Sequence, residues 1–380
     1  MAENTNWMEY EIIRGEDKIG ENLIEIRGHG KRILLECGKA LFPDENTAQV
    51  EERIKGESYD AIIISHAHED HCGLLKCEVA TKNIYMGEVT LAILQAKNMI
   101  CAENVEKVKI MRGEEEFFVG DIKIIPHLCD HSVADSYMIE IVGGEKKILY
   151  TGDFRSNGRK NFDALLERLP RNIDVLICEK TIDEDKNGTE TELEKEAVRI
   201  MKNHKEVFIL QNSCNVDRIV SFYKASRRTK TAFLMMPLSV KVAESMEHVP
   251  SPSKFRDCYI YFPHACQFSE RKKVIGREQI AKKDRFAMMI STSMTDYLKK
   301  LATLRDLSNA VLIYSMWDGY KEQMKEFLDF VQSLGVKIVD LHVSGHADKS
   351  AIEAVIKMTN PREIKFVHTD KTPMNEQVEE

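Results

Sequence analysis

The 380-residue sequence contains no CxxC pair, and its nine cysteines are an odd number. That excludes a disulfide-framed secreted module and predicts reduced thiols in a cytosolic protein. No apolar run approaches the ~20 residues of a membrane-spanning helix, so no membrane partner is expected. The opening stretch MAENTNWMEYE has neither a basic nor an apolar segment, so no secretion signal is expected and the predicted location is cytoplasmic. Internal repeats and low-complexity tracts are absent. So is a basic excess: the formal net charge is −8. The total therefore does not point to nucleic acid, although local patches rather than totals decide such binding. What is there is a foldable composition, 43% hydrophobic and 31% charged, which excludes a disordered chain. Its length predicts two domains or one elaborated domain.

The first 150 residues read as short strands divided by Gly, Asp and Asn turns. They are NLIEIRG (22–28), KRILLEC (31–37), YDAIIIS (59–65), KNIYM (82–86), DIKIIPH (121–127), DSYMIEI (135–141) and KKILYTG (146–152). One helix is expected among them, at roughly 87–100. After about residue 185 the character changes. NGTETELEKEAVRIMKNH (187–204) has a threonine near its start, acidic first turns and apolar residues at helical spacing. Beyond it strand and helix alternate, as in EVFILQ then NVDRIVSFYKAS, or AVLIYS then YKEQMKEFLDFVQSLG. Such alternation predicts a mostly parallel sheet covered by helices. GVKIVDLHVSGHADKSAIEAVIKMTNPREIKFVH closes the chain with two strands around a helix. The expected segments are 1–186, an α/β domain over 187–338, and 339–380, with EDKNGTETE (184–192) as a linker.

The chemistry gathers at SHAHEDHCG, directly after the apolar run AIII (61–64). If residues 64–68 stay extended, His66 and His68 point to the same side. Asp70 and His71 fall where the chain turns toward a helix. One strand end thus offers two imidazoles to one cation, and a carboxylate with an imidazole to a second. Two-metal hydrolytic sites hold their ions ~3.5–4 Å apart, which this spacing can supply. Imidazole with some carboxylate suits zinc. Packing gives no reason for the cluster, because burying such groups unpaired is costly. Other strand ends carry further candidates: His131 in CDHSVADS, Asp153 in LYTGDFR and His368 in KFVHTD. An aspartate in a strand-end TGD is placed to bridge two cations.

Together these residues resemble the metallo-β-lactamase fold superfamily. His66, His68, Asp70 and His71 match its H-x-H-x-D-H motif, and His131, Asp153 and His368 follow in the family's order. GEDKIGENLIEI is similar to its opening glycine-rich hairpin. The middle segment resembles the β-CASP nucleases, whose catalytic fold is interrupted by an α/β cap and which include ribonuclease J. HSVADS is similar to the serine-rich histidine motif, LICEKT to the acidic motif A (Glu179), HVSGHAD to motif B (His346) and FVHTD to motif C (His368). The resemblance implies an α/β fold, an αββα metallo-β-lactamase sandwich with an inserted α/β (β-CASP) domain. It implies two divalent metal ions, Zn2+ by default with Mn2+ as the alternative. His66, His68 and His131 would hold one, Asp70, His71 and His368 the other, and Asp153 would bridge them. A hydroxide activated by both would attack phosphorus. Asp70, Glu179 and His346 would form the catalytic set, with His346, supported by Glu179, as general acid. Ser344 and Gly345 would hold a phosphate. A homodimer is common among such relatives. Four features depart from ribonuclease J. The last motif reads HTD rather than histidine-Gly-Glu, Glu36 stands where an aspartate is usual, no GRS-type segment occurs, and that family's C-terminal domain is not expected.

A nuclease needs a groove that accepts a phosphate backbone. SRRTK (226–230) is one candidate. Residues 254–285 are another, with nine Lys/Arg against four acids and with Tyr259, Tyr261, Phe262 and Phe268 interleaved. The same run also reads as a solvated helix face with core aromatics. NSCNVDR (212–218) opens a helix after a strand and offers Ser213 and Asn215 to a phosphate. Trp317 lies with Tyr320 in a strand-to-helix loop, on the edge where α/β sheets bind ligands, and could line a cleft or pack an interface. The expected function is metal-dependent hydrolysis of single-stranded RNA, with DNA as an alternative substrate. Hydrolysis of a small ester, lactone or cyclic phosphodiester is the competing reading. The full ligand set argues against a non-catalytic scaffold, and His68 against a diiron redox protein, whose motif carries Glu there.

Overall fold

The computed structural model describes residues 7–41, 46–182, 188–245, 255, 257–261 and 273–369. Its contacts divide the chain into two units, 1–186 with 345–380, and 187–344. In the first unit, β1 (Met8–Arg14), β2 (Leu23–Gly28), β3 (Lys31–Leu35), β4 (Ala61–Ile63), β5 (Ile84–Met86) and β6 (Val108–Ile110) form one sheet in that order. Its second sheet begins with β7 (Phe117–Val119), β8 (Ile122–Cys129), β9 (Ser136–Gly143), β10 (Lys146–Tyr150) and β11 (Val175–Glu179).

The second unit holds β12 (Glu206–Leu210), β13 (Ala232–Met235), β14 (Tyr259–Tyr261), β15 (Lys273–Ile275), β16 (Phe286–Ile290), β17 (Val311–Tyr314) and β18 (Lys337–Asp340). They form one parallel sheet in the order β15-β14-β13-β16-β12-β17-β18. The chain then returns, and β19 (Glu363–Val367) pairs in parallel with β11.

Alternation along the strands builds the first unit. Ile148, Tyr150, Val175 and Ile177 enter a core that also takes Ile24, Ile33 and Ile63 from the other sheet. Their neighbours Leu149, Leu176 and Cys178 point the opposite way. They pack with Leu165 and Leu166 of the helix Phe162–Arg168 and with Ile352 and Val355 of the helix Lys349–Thr359. Helices Thr47–Gly56 and Glu88–Ala96 bury Ile54 and Ile93. The result is an αββα sandwich. Each buried aliphatic side chain stabilises it by roughly 1.5–3 kcal/mol.

Some elements are not marked by the sequence pattern. β6 and β7 are three-residue edge strands with half-exposed faces, too short to show a period. The helix expected at roughly 87–100 is shorter, Glu88–Ala96. β18 hydrogen-bonds to β17, so the segment expected to rejoin the first unit at 339 stays with the second through Ser344. Of the expected linker, residues 184–187 lie outside the described residues, and its last three residues, Glu190–Glu192, already open a helix, Glu190–Asn203. Among the described residues the cysteines are free thiols, and no helix is long and apolar enough to cross a membrane.

The second unit is tied at its return point by Arg218, which is fully buried. Its guanidinium donates to Glu190 Oε1 (3.1 Å), to the Ser315 hydroxyl and to the Val343 carbonyl (2.7 Å). Glu190 opens the helix Glu190–Asn203, capped by a reciprocal Thr189–Glu192 box. Removing one partner of a buried pair strands the other, so Arg218→Ala is expected to destabilise this unit by roughly 3–5 kcal/mol in urea unfolding. A loss under ~1 kcal/mol would refute the tie.

In the first unit the buried His127 is held between Glu114 Oε2 (2.8 Å) and Glu140 Oε2 (3.0 Å), with Arg168 on Glu114. Burial alone would lower its pKa, but the hydrogen bonds and charges of Glu140 and Glu114 raise it above the ordinary value. A histidine raised on folding contributes stability that is complete below ~6.5 and is lost as pH climbs through the raised value. The stability gap between wild type and His127→Gln is therefore expected to be wide at pH 6 and to narrow at pH 9. A gap that is constant or widens with pH contradicts this account.

Candidate active site

Four strand ends of the first unit share one edge. β10, β11 and β19 run parallel, and β8 lies two antiparallel steps from β10, so it points the same way. Glu179 is the last residue of β11, and His131, Asp153 and His368 stand just beyond the C-terminal ends of β8, β10 and β19. In the other sheet β4 ends at Ile63, and His68, in extended conformation, caps the short helix Glu69–Cys72. Asp70 and His71 occupy the first turn of that helix.

Asp153 sits at the centre. Its Oδ2 is 3.2 Å from His71 Nε2, 3.6 Å from His66 Nε2, 3.7 Å from His346 Nδ1, and 3.8 Å from both His131 Nε2 and His368 Nε2. It is buried, yet neither oxygen has a hydrogen-bond partner among the described residues. A buried carboxylate is not left unsatisfied without reason. Its surroundings supply one. His66, His68, His131 and Asp153 each turn a ligand atom to a common point, with His66 Nε2 and His131 Nε2 both 3.1 Å from His68 Nδ1. Asp70, His71 and His368 form a second set, with His368 Nε2 3.0 Å from Asp70 Oδ2. The donors, imidazole with carboxylate, fit divalent cations, and Asp153 faces both sets.

The far ring nitrogens fix these orientations. Ser65 Oγ lies 2.9 Å from His66 Nδ1. His131 Nδ1 donates to the Gly345 carbonyl at 2.5 Å; a carbonyl only accepts, so Nε2 faces the cluster with its lone pair. A Cβ on Gly345 would meet the Ser132 side chain at 2.9 Å, so this approach needs glycine. Gly152, before Asp153, has φ +52 and is closed in by Ser65 and the Tyr137 carbonyl. His71 Nδ1 faces Glu36 Oε1 at 3.2 Å. Glu36, longer than the aspartate expected there, lies in the left-handed region at φ +65. This kink falls directly after β3, and Glu36 Oε2 accepts the Ser65 amide at 3.1 Å.

Charge completes the picture. Burial pushes His66 and His131 well below the ordinary value and His68 down to about 4, so these rings are neutral and able to ligate. His71 is opposite: burial would lower it, but Asp153, Asp70 and Glu36 raise it strongly. Burial opposes the ionised form of Asp70 and Asp153, yet the neighbouring histidines hold both well below the usual carboxylate range. The cluster draws positive charge. Beside it, Glu179 Oε1 accepts the Phe154 amide (2.7 Å), and its Oε2 accepts His346 Nδ1–H (2.9 Å). Burial would lower His346, but Glu179 and Asp153 push it up to about 9. Its side chain is 22% exposed.

The remaining expected residues belong to the second unit, except Gly345. Ser344 and Ser213 are half-buried. Asn215 is buried and its amide oxygen accepts the Arg218 N–H at 3.0 Å, a helix cap that occupies the group expected to meet a phosphate. Trp317 is exposed and stands edge-on to Tyr320. In the basic stretch, Tyr261 is fully buried and donates to the Met289 carbonyl; it is core, not a stacking surface. Tyr259 lies under Lys283. Lys254, Arg256, Phe262, Phe268, Arg271, Lys272 and the last motif's Asp370 lie outside the described residues. Sequence reasoning missed Asn22, whose Nδ2 is 3.1 Å from His71 Nε2, and Ser65. Ser65 directly precedes the histidine motif and was open to notice; nothing local marks Asn22. Because Asp153 faces both donor sets, Asp153→Ala is expected to reduce the zinc retained per chain from two to one or none, read by elemental analysis after reconstitution. Two zinc ions in the variant would remove Asp153 from the centre.

Residues 31–206 match the family described as "Beta-lactamase superfamily domain", and residues 334–379 the "Zn-dependent metallo-hydrolase RNA specificity domain". Ribonuclease J of Corynebacterium glutamicum is 22% identical over 96% of this chain and 54% of its own length. The chain thus spans about half of that relative. The RNase J-like protein of Methanocaldococcus jannaschii is 24% identical over 94% of this chain and 91% of its own. The crystal structure of a protein of unknown function from Enterococcus faecalis V583 shares the fold, with a TM-score of 0.74 at 17% identity over 95% of this chain and 94% of that one. With its αββα sandwich, its inserted parallel-sheet unit and its histidine-aspartate cluster, the chain belongs to the metallo-β-lactamase fold superfamily, in the ribonuclease J-like β-CASP family.

Proposed function

We propose that this protein is a metal-dependent phosphodiester hydrolase acting on single-stranded RNA. The observation that carries the reading is the pair of donor sets facing one buried, otherwise unsatisfied carboxylate, with a proton-bearing histidine on the same edge. His66, His68 and His131 would hold one cation, Asp70, His71 and His368 the other, with Asp153 between them; zinc suits this donor set. Bound there, two cations neutralise charge on a phosphate and bring the pKa of water toward neutrality. The chain does the rest. Glu179 accepts His346 Nδ1–H, which leaves Nε2 to protonate the leaving oxygen. Ser344 and the backbone at Gly345 stand next to His346 in sequence and would hold a phosphate oxygen. The exposed ring of Trp317 offers a base-stacking face, with Ser213 on the same unit as a further contact. The RNA preference is supported by what the relatives are called and by the RNA specificity description over the segment that carries His346 and His368.

The test uses protein reconstituted with Zn2+ or Mn2+ and single-stranded RNA and DNA of one sequence, labelled at either end. Wild type is expected to cleave RNA, and His346→Ala to lower kcat by roughly 10²–10⁴-fold, the range for a general acid. Asp70→Ala is expected to lose both the activity and the second metal. If wild type with two metals bound leaves RNA intact but hydrolyses a lactone or a small phosphodiester, the ribonuclease reading fails.

A further inference from the structure

Thr181 has no place in the reading above, yet it touches more of the site than any other uncharged side chain described here. It lies two residues beyond Glu179, where the chain leaves β11. Its Oγ1 is 2.7 Å from His368 Nδ1, 2.9 Å from Glu179 Oε2, 3.0 Å from the His368 carbonyl oxygen and 3.3 Å from His346 Nδ1.

Proton counting decides what these contacts mean. A hydroxyl has one hydrogen and two lone pairs. The Glu179 carboxylate and the His368 carbonyl only accept, so the hydrogen goes to one of them. At 2.7 Å the His368 ring must then donate, and Nδ1 carries its proton. Nε2, 3.0 Å from Asp70 Oδ2 and 3.8 Å from Asp153 Oδ2, is then the nitrogen that hydrogen-bonds to Asp70 and that would give up its proton to take a cation. The opposite tautomer would set a ring lone pair against a hydroxyl whose hydrogen is already committed.

The backbone of His368 adds to the argument. Its φ is +54, a left-handed conformation that a non-glycine residue adopts at a cost. Its amide donates to the Gly15 carbonyl at 2.6 Å, which holds it there, and its carbonyl oxygen lies 3.0 Å from Thr181 Oγ1. Thr181 thus meets the ring of a residue whose backbone is already fixed in a costly conformation.

We propose that Thr181 is a positioning residue. Its hydroxyl sets the tautomer of His368 and, through Glu179 Oε2, joins that ring to His346, so that one carboxylate oxygen orients the metal-facing histidine and the proton donor together. This rests on His368 as a metal ligand and His346 as the acid. Serine in place of Thr181 keeps the function; valine, of the same shape without the hydroxyl, loses it.

The experiment is zinc affinity of the full-length protein by competition with a chromophoric chelator, for wild type, Thr181→Val and Thr181→Ser, followed by RNA cleavage at saturating zinc. Expected is a roughly 10–100-fold weaker second zinc in T181V with the first unchanged, as is typical when a ligand's outer partner is removed. Thr181→Ser should restore affinity to within about threefold, which a mere packing role for the methyl group would not do. At saturating zinc, T181V should lower kcat with KM unchanged. Wild-type affinity for both ions in T181V overturns the proposal, as does a serine variant as weak as valine. Because the zinc measurement needs no RNA, a weakened second zinc in a protein that cleaves no RNA supports the role of Thr181 and removes only the ribonuclease reading.

Discussion

A buried carboxylate ringed by imidazole nitrogens, with no well-formed hydrogen bond among the described residues, is the constraint on which the first unit's working edge depends. Asp153 is surrounded by imidazole nitrogens at distances that hydrogen bonding alone does not explain. In the protein alone, His71 takes up positive charge beside it. A divalent cation does the same more completely. The cluster is therefore assembled for ions, and the fold carries the tension of holding like groups together.

Holding them requires a second ring of partners. Ser65, Gly345, Glu36 and Thr181 each meet a ring nitrogen that faces away from the cluster. They come from a strand end, a returning loop, a kinked backbone and the exit of a central strand. Two glycines admit close approach at Gly152 and Gly345, and two non-glycine residues, Glu36 and His368, accept left-handed backbone. Local conformational preference yields at these points because the surrounding sheet leaves no alternative.

How much of this could be read beforehand follows from what leaves a local trace. Strands with period-two burial, such as β9 and β10, and the histidine motif after AIII are written in consecutive residues. So are the alternating strands and helices of the inserted unit. The half-exposed β6 and β7 have no period to detect, and β18 reads as the start of a return that the hydrogen bonds postpone. The aromatics of the basic stretch show the opposite error, since composition cannot tell Tyr261 in the core from a ring on the surface. The clustered histidines and aspartates stand at strand ends, where a local motif marks them. Their supports carry no such mark: the His131–Gly345 contact spans 214 residues and the Thr181–His368 contact 187.

The return of β19 beside β11 gives the molecule an order in time. Asp70 and His368 meet across 298 residues, so the second donor set does not exist until the inserted unit has been made and the last strand added. Closing so long a loop is slow compared with forming the local strands. During synthesis the ribosome therefore carries a chain that has the residues of the first set but neither the Gly345 support of His131 nor the final ring of the second set. A polypeptide released at any codon before His368 lacks at least that ring of the second set. Under the proposed function, the chain thus lacks the last ring of its second donor set while it is still attached to the message that encodes it.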